Sequence, residues 1–310
     1  MDALSEVLRL AGFSGAVLAD ATAGGAWCVS VPASSTRAFA HVLLAGDCLF
    51  RVGDGEPVAL RGGDVAFAAH GDSHAIGTDL AAEATPLAAL LRPPVAGELA
   101  PVSLGGTGRR ARWATLAISA DRHLAEPLFA ALPAALVASL RGTPPLAWLT
   151  DSLGLSLSGS DAPRPGGAAA LSRVAELVLI ESLRRHVESL PPGGTGWLAG
   201  LNDRHVGAAL ALVHGRPGEH WTVERLARQG GLSRSALAER FSLVVGEPIF
   251  GFLTRVRLQL AAHALATTPR SIEAVAREAG YEAVNSFSRA FKRVFGKPPS
   301  VWRRKPRRRR

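Results

Sequence analysis

Four of the cysteine and histidine side chains in the first quarter of the chain are candidates for binding a transition metal or reacting with an oxidant: Cys28, His41, His70 and His74. A thiolate with two imidazoles suits zinc or copper, so Cys28, His41 and His74 form a candidate metal or redox centre. The alternative is a small buried cysteine with histidines that form ordinary hydrogen bonds. Because Cys48 is the only other cysteine, no disulfide framework is expected.

A second set of polar residues lies within a pattern that occurs twice between residues 222 and 295. Apolar and small residues recur at an offset of 49 positions: Val223, Leu226, Ala227, Gly230, Gly231 and Leu232 correspond to Ile272, Val275, Ala276, Ala279, Gly280 and Tyr281. After the turn the offset is 50, so Leu237 and Phe241 correspond to Phe287 and Phe291. Their spacing of four residues places each pair on one helix face. Each copy therefore predicts a helix, a tight turn and a second helix.

Local signals support this prediction. Thr222, Ser233 and Ser271 stand at predicted helix starts, where a hydroxyl can accept a hydrogen bond from a free backbone N–H. Between the copies, Pro248 suits the start of a connecting helix. The apolar residues of that connector recur every three or four positions: Ile249, Phe252, Leu253, Val256 and Leu260. The sequence thus predicts two helix-turn-helix units on one connector.

The segments WTVERLARQGGLSRSALAERF and GYEAVNSFSRAFKRVFGKPPSVWR resemble the DNA-binding domain of the AraC/XylS transcription regulators. The resemblance covers roughly residues 204–303, and we place the predicted DNA-binding domain at residues 203–303. It implies double-stranded promoter or operator DNA as the main partner and RNA polymerase as a second. A bacterial, nucleoid-associated protein is also expected, and a cytoplasmic location is the default because the sequence shows neither a membrane-spanning run nor a basic region before an apolar core at its start.

Alignment with this family places the DNA-reading residues on the second helix of each unit. The candidates are Ser235, Ala238, Glu239 and Arg240 in the first unit, and Asn285, Ser286, Arg289, Lys292 and Arg293 in the second. Arg289 can bond bidentately to guanine, Asn285 to adenine, and Glu239 can accept from cytosine. Lys292 and Arg293 are better placed for phosphate. Each residue alone is also compatible with a hydrated surface position.

Charge is divided unequally along the chain. Residues 203–310 contain 21 Lys and Arg against 8 Asp and Glu, whereas residues 1–202 contain 14 against 18. A basic surface attracts the phosphate backbone without selecting a sequence. The basic tail at residues 304–310 is accordingly expected to add non-specific attraction only.

The first hundred residues predict short strands separated by turns rich in glycine and aspartate, as in a small antiparallel barrel. The segment GDVAFAAHGDSH resembles the second conserved motif of the cupins, with Gly63, Gly71 and His74 in register and Ala69 at the usual proline. Residues 1–100 are therefore expected to form a cupin-like sensor. The first cupin motif offers only His41, so the usual set of four metal ligands is incomplete.

Residues 101–200 are expected to form a helical linker and association region. Amphipathic helices are predicted at 128–140 and 171–187, with a flexible stretch at 158–170. In the family such helices often mediate dimerisation, which favours a homodimer. The predicted fold is α+β: a cupin-like antiparallel β-barrel, a helical linker and an all-α double helix-turn-helix domain.

These features predict a DNA-binding transcription regulator, activator or repressor, controlled by a small-molecule or redox effector sensed in the cupin-like domain, and not an enzyme. One alternative is a metal-dependent cupin enzyme fused to a DNA-binding domain. Another is an architectural DNA-binding protein whose barrel senses nothing. No apolar run approaches the roughly 20 residues that span a bilayer, so no membrane segment is expected.

Overall fold

A computed structural model describes residues 2–91, 102–142, 148, 151–153, 166–191 and 193–303. The chain folds into two compact units. A β-rich unit contains Phe13–Ala120 and Leu132–Ser189. A helical unit contains Met1–Gly12, Asp121–Ala131 and Leu190–Arg310. Most of the predicted flexible stretch 158–170 and the basic tail 304–310 lie outside the described residues.

The β-rich unit contains eleven strands among the described residues. They are β1 (Ser14–Gly24), β2 (Cys28–Val31), β3 (Ala38–Ala45), β4 (Asp47–Val52), β5 (Val58–Arg61), β6 (Asp64–Ala68), β7 (His74–Gly77), β8 (Ala84–Pro86), β9 (Val102–Gly105), β10 (Arg110–Ser119) and β11 (Ala135–Ser139). Two helices accompany them: α2 (Leu87–Leu90) between β8 and β9, and α4 (Gly167–Ser189) after β11. Helix α4 packs on β1 and β11.

The strands form two sheets. One has the order β11-β6-β3-β10-β1-β9 and the other β5-β4-β7-β2-β8. Neighbouring strands are antiparallel except for β1 with β9 and β2 with β8. This arrangement confirms the cupin-like, largely antiparallel fold expected from the sequence.

Side chains from both sheets share one core. Trp27, which precedes β2, stacks on Trp113 of β10 with ring centroids 4.3 Å apart and planes 5° apart. Leu43, Phe50 and Ile76 are fully buried in the same core. The interior between the sheets is therefore filled by side chains, as in small barrels and sandwiches.

One predicted helix is wrong. Residues 128–140, for which the sequence predicts a single amphipathic helix, form the end of α3 (Arg122–Ala130) and strand β11. Pro133 lies between the two elements, where its missing N–H and its restriction of the preceding residue favour the end of the helix. Strand β11 then pairs antiparallel with β6, so that Leu136 lies opposite Phe67. Sheet pairing here overrides the helix propensity of alanine and leucine.

The helical unit contains, besides α3, the helices α1 (Ala3–Ala11), α5 (Trp197–Asn202), α6 (Arg204–Gly215), α7 (Val223–Gly230), α8 (Arg234–Val245), α9 (Ile249–Thr267), α10 (Ile272–Glu278), α11 (Val284–Phe295) and α12 (Pro299–Arg303). Helix α1 packs on α3 and α6, and α3 also packs on the long helix α9. Two segments distant in sequence from the predicted DNA-binding domain, α1 and α3, thus belong to its compact unit.

Candidate nucleic-acid interface and histidine pair

The first predicted helix-turn-helix is formed by α7 and α8. Thr222 and Ser233 cap the two helices, accepting hydrogen bonds from the backbone N–H groups of Arg225 and Ala236. At the turn, Gly231 has a φ of +72°, a conformation that L side chains rarely adopt. The backbone N–H of Leu232 donates to the Ala227 carbonyl at 2.9 Å, which closes the end of α7.

The second unit, α10 and α11, repeats this turn. Gly280 has a φ of +79°. The N–H of Tyr281 donates to the Ala276 carbonyl at 2.9 Å, the equivalent bond 49 residues later. Ser271 caps α10, whereas α11 begins after Ala283 without a side-chain cap. The repeated sequence pattern therefore corresponds to an equivalent backbone hydrogen bond in each of the two turns.

Helices α8 and α11 present the predicted DNA-reading residues outward. Their buried faces carry Leu237 and Phe241 in α8, and Phe287 and Phe291 in α11. Of these candidates, only Ala238 is half-buried. The other eight are exposed: Ser235, Glu239, Arg240, Asn285, Ser286, Arg289, Lys292 and Arg293. A helix with one buried face and one polar exposed face can enter a major groove without exposing its core.

Arg240 differs from the other candidates, because it bonds to a neighbouring helix. Its Nε lies 2.7 Å from Oδ2 of Asp203, the residue that caps α6. Burial alone would raise the pKa of Asp203, but hydrogen bonds from the Val206 N–H and from Arg240 hold that pKa below its usual range. The position of Arg240 indicates a tie between α8 and α6.

In the β-rich unit, two of the candidate ligands meet in the core. His41 of β3 and His74 of β7 are buried, and their Nε2 atoms lie 3.0 Å apart. His41 Nδ1 lies 3.1 Å from the hydroxyl of Thr115, and His74 Nδ1 lies 2.9 Å from the Asp72 carbonyl oxygen. The four groups form one hydrogen-bonded chain.

The Asp72 carbonyl fixes the proton positions in this chain. A carbonyl only accepts, so His74 must donate from Nδ1 and accept at Nε2. His41 then donates from Nε2, and its Nδ1 accepts from the Thr115 hydroxyl. Burial holds the pKa of His41 well below 6.5, with the neighbouring His74 adding to the effect, and burial also lowers the pKa of His74. Both imidazoles are therefore neutral near pH 7.

Cys28 does not join this pair, contrary to the prediction of a Cys28, His41 and His74 centre. It lies opposite Gly77 on β7, three residues beyond His74, which itself lies opposite Val31. Side chains alternate along a strand, so Cys28 and His74 project from opposite faces of their sheet. Burial raises the pKa of the Cys28 thiol, the opposite of what a reactive thiolate requires.

The remaining candidate, His70, and the second cysteine, Cys48, also lie outside the pair. His70 Nε2 bonds to the Leu132 carbonyl oxygen at 3.0 Å. Cys48 is buried, and burial raises its pKa to about 12. Among the described residues, no three His, Cys, Asp or Glu side chains converge closely enough to hold a metal ion. The donor set described here does not fit a resident zinc or copper ion, which needs at least three protein ligands.

Comparison with known proteins agrees with both halves of the fold. A family model described as a cupin matches residues 2–188, and one described as a helix-turn-helix domain matches residues 226–305. An AraC-like transcription regulator of Streptomyces antibioticus is 33% identical over 99% of each chain. This chain belongs to the AraC family of transcription regulators.

Other transcription regulators resemble all or part of this chain. The HTH-type transcriptional regulator AlkR of Acinetobacter baylyi is 28% identical over 98% of this chain and 99% of its own. The crystal structure of the AdpA DNA-binding domain in complex with a target DNA has a TM-score of 0.31 and 25% identity, covering 33% of this chain and 90% of that one.

In the described part of this chain, no helix combines the length and the apolar character that crossing a membrane requires.

Two residues that organise this AraC-type protein, Thr115 and Asp203, were not among those predicted from the sequence. Thr115 gives no signal, because its pairing with His41 depends on the register of β3 with β10. Asp203 could have been found, since it precedes a helical pattern as an N-cap residue should. Its bond to Arg240 spans 37 residues, and no local pattern predicts it.

Proposed function

We propose that this AraC-family regulator binds promoter DNA sequence-specifically and that an effector sensed in its cupin domain controls that binding. The observation that carries the proposal is the pair of recognition helices, α8 and α11, each with an exposed polar face over a buried apolar one. Base edges in a major groove offer the donors and acceptors that such faces recognise.

Control by an effector is a population shift. An effector that binds one arrangement of the protein more tightly than another changes the fraction able to bind DNA. Support for a responsive cupin core comes from the His41–His74 chain, because buried polar groups with a single consistent proton arrangement are sensitive to any new donor or charge. The two protonated thiols, Cys28 and Cys48, favour a small-molecule effector over a redox effector.

The remaining parts of the proposal concern partners and place. A homodimer is supported by α4, which leaves Leu177 46% exposed on the side away from its buried residues. RNA polymerase is the expected second partner, and the bacterial cytoplasm with its nucleoid is the expected location. The relatives described above are named as regulators, which favours a protein without catalytic activity.

Footprinting of the full chain on genomic DNA fragments tests this function. Two protected groups of bases should lie about one helical turn, roughly 10 base pairs, apart. Arg289→Ala should weaken cognate binding by about 1–3 kcal/mol and relax one base position. An equal loss on random DNA would instead make Arg289 a phosphate contact.

Two measurements separate the alternatives. A metal-dependent enzyme requires purified protein to contain near-stoichiometric zinc, copper or another transition metal, which elemental analysis detects. An architectural protein requires that no metabolite or oxidant changes DNA affinity or transcription. Tight specific binding with effector-dependent transcription and no metal would favour the regulator.

A further inference from the structure

The exposed faces of the two recognition helices can be compared position by position. Their buried residues correspond at an offset of 50, with Leu237 equivalent to Phe287, so each exposed position in α8 has a defined equivalent in α11. By this offset Glu239 is equivalent to Arg289, and both are exposed. The same position thus carries a carboxylate in the first unit and a guanidinium in the second.

The C-terminal halves of the two helices also differ in charge, and again the helix of the second unit is the more basic. Lys292 and Arg293 in α11 are equivalent to Ser242 and Leu243 in α8. Leu243 is 72% exposed, so the first unit places an apolar side chain where the second has a cation. Helix α11 contains three basic residues and no acidic one, which is the composition expected of a helix that approaches phosphate.

Ion pairs increase the contrast. In the first unit, Arg234 lies 2.9 Å from Glu224 of α7, and Arg240 lies 2.7 Å from Asp203. Within the described residues, Arg289, Lys292 and Arg293 form no ion pair. The guanidinium groups of α8 are therefore already partnered, whereas the cations of α11 are available to DNA.

We propose that the two units divide the recognition of DNA, an inference that rests on the proposed function. Helix α11 anchors the complex to phosphate through Lys292 and Arg293 and selects guanine through Arg289. Helix α8 contributes little phosphate attraction and selects cytosine through Glu239, whose carboxylate accepts from the cytosine amino group. At equivalent positions, the half-site read by α11 thus requires guanine and the half-site read by α8 requires cytosine.

The Glu239 carboxylate makes the first unit select its base by weakening the binding of DNA that has the wrong base at this position. Glu239 next to DNA loses hydration and faces the negative phosphates, and only an amino donor on the base edge offsets this cost. Adenine also has an amino group in the major groove, but its N7 acceptor would repel the carboxylate. Replacing Glu239 by glutamine, its neutral isostere, should therefore raise general affinity and shift the base preference from cytosine towards adenine, because the added amide donor can bond to adenine N7.

Selection from a random DNA pool, with the full-length chain and its Glu239→Gln and Arg289→Gln variants, tests the base assignments. The parent should enrich a cytosine and a guanine about 10 base pairs apart. Glu239→Gln should change only the cytosine column, towards the adenine with which a glutamine amide pairs, and Arg289→Gln should change only the guanine column, each with roughly a five- to hundredfold change in discrimination. A change in the same column in both variants, or in neither column, overturns the inference.

Salt titrations test the phosphate assignment independently. Lys292→Gln and Arg293→Gln should each reduce the slope of log affinity against log salt by about one. Arg234→Gln is the matched control, with an equal charge change on the partnered side, and should leave the slope unchanged. An equal fall for Arg234→Gln overturns the division of labour. A parent protein that enriches no sequence at all would instead contradict the proposed function.

Discussion

The neutral state of the His41–His74 pair connects stability to pH at the scale of single residues. Burial lowers the folded-state pKa of both histidines, so the unfolded chain binds protons more readily as the pH falls through about 6.5. Stability contributed by the neutral pair is therefore complete above that pH and decreases as the pH falls towards the folded-state pKa values. In acid, protonation of these two histidines in the unfolded chain therefore lowers the free energy of unfolding.

We predict that thermal unfolding of the full chain shows this loss between about pH 7 and pH 5. For each histidine that stays neutral in the folded protein over this range, the free energy of unfolding should fall by about 2 kcal/mol. The double variant His41→Phe and His74→Phe should make the pH profile shallower, because it removes two of the histidines whose pKa burial lowers. It should also lower stability at every pH, because the Thr115 hydroxyl and the Asp72 carbonyl lose their imidazole partners. His220→Gln, at an exposed histidine, is the control. A double variant with the parent's pH profile would show that other groups cause the loss.

The Asp203–Arg240 contact gives a second prediction at this scale. Asp203→Ala should lower the free energy of unfolding by about 1 kcal/mol, because the carboxylate accepts from two backbone N–H groups at the start of α6. Arg240→Ala should cost less, about 0.5 kcal/mol, since its side chain is half exposed and surface ion pairs are weak. Chemical denaturation measures both. The reverse ranking would make the ion pair, not the cap, the stabilising interaction.

At the scale of elements, the two turns form a matched pair. Gly231 and Gly280 have nearly equal positive φ values, so an alanine is strained at either position. A Cβ at Gly231 would meet open space, whereas one at Gly280 would lie 2.8 Å from the guanidinium carbon of Arg257. That guanidinium is held by bonds to the Pro217 and Glu219 carbonyls.

We predict that Gly231→Ala destabilises the protein by about 1 kcal/mol and Gly280→Ala by more, because Arg257 must give up hydrogen bonds as well. Urea denaturation of the two variants measures the difference. Gly280→Ala in an Arg257→Lys background should recover part of it, since lysine is more flexible than the guanidinium. Equal costs in both turns would mean that Arg257 moves freely.

Sequence patterns predict such elements well where the cause is local. Thr222, Ser233 and Ser271 cap helices as expected, because capping depends on a few consecutive residues. The strand at Ala135–Ser139 was missed, because its state is decided by pairing with β6, about 70 residues away. Cys28 was misplaced for a similar reason: a shift of one residue in register moves a side chain to the other face of the sheet.

At the scale of the whole molecule, the uneven charge suggests a simple truncation. Removing residues 304–310 eliminates six basic residues from a chain of net charge +9. Binding to all DNA sequences should weaken alike, and the salt dependence should become shallower, because backbone attraction carries no base information. Parallel titrations on cognate and random DNA measure this. A loss confined to cognate DNA would assign the tail a role in specificity.

The division of the chain into units has a consequence for protein engineering. The chain passes between the β-rich and helical units four times, because Met1–Gly12 and Asp121–Ala131 belong with Leu190–Arg310. A chimera joined once near residue 190 would therefore combine DNA-binding helices from one parent with the α1 and α3 of another. Exchange of the β-rich unit between relatives therefore requires a split graft, in which both short segments are transferred together with the helices on which they pack. Chimeric regulators built from this scaffold should therefore take three segments from the DNA-binding parent: Met1–Gly12, Asp121–Ala131 and Leu190–Arg310.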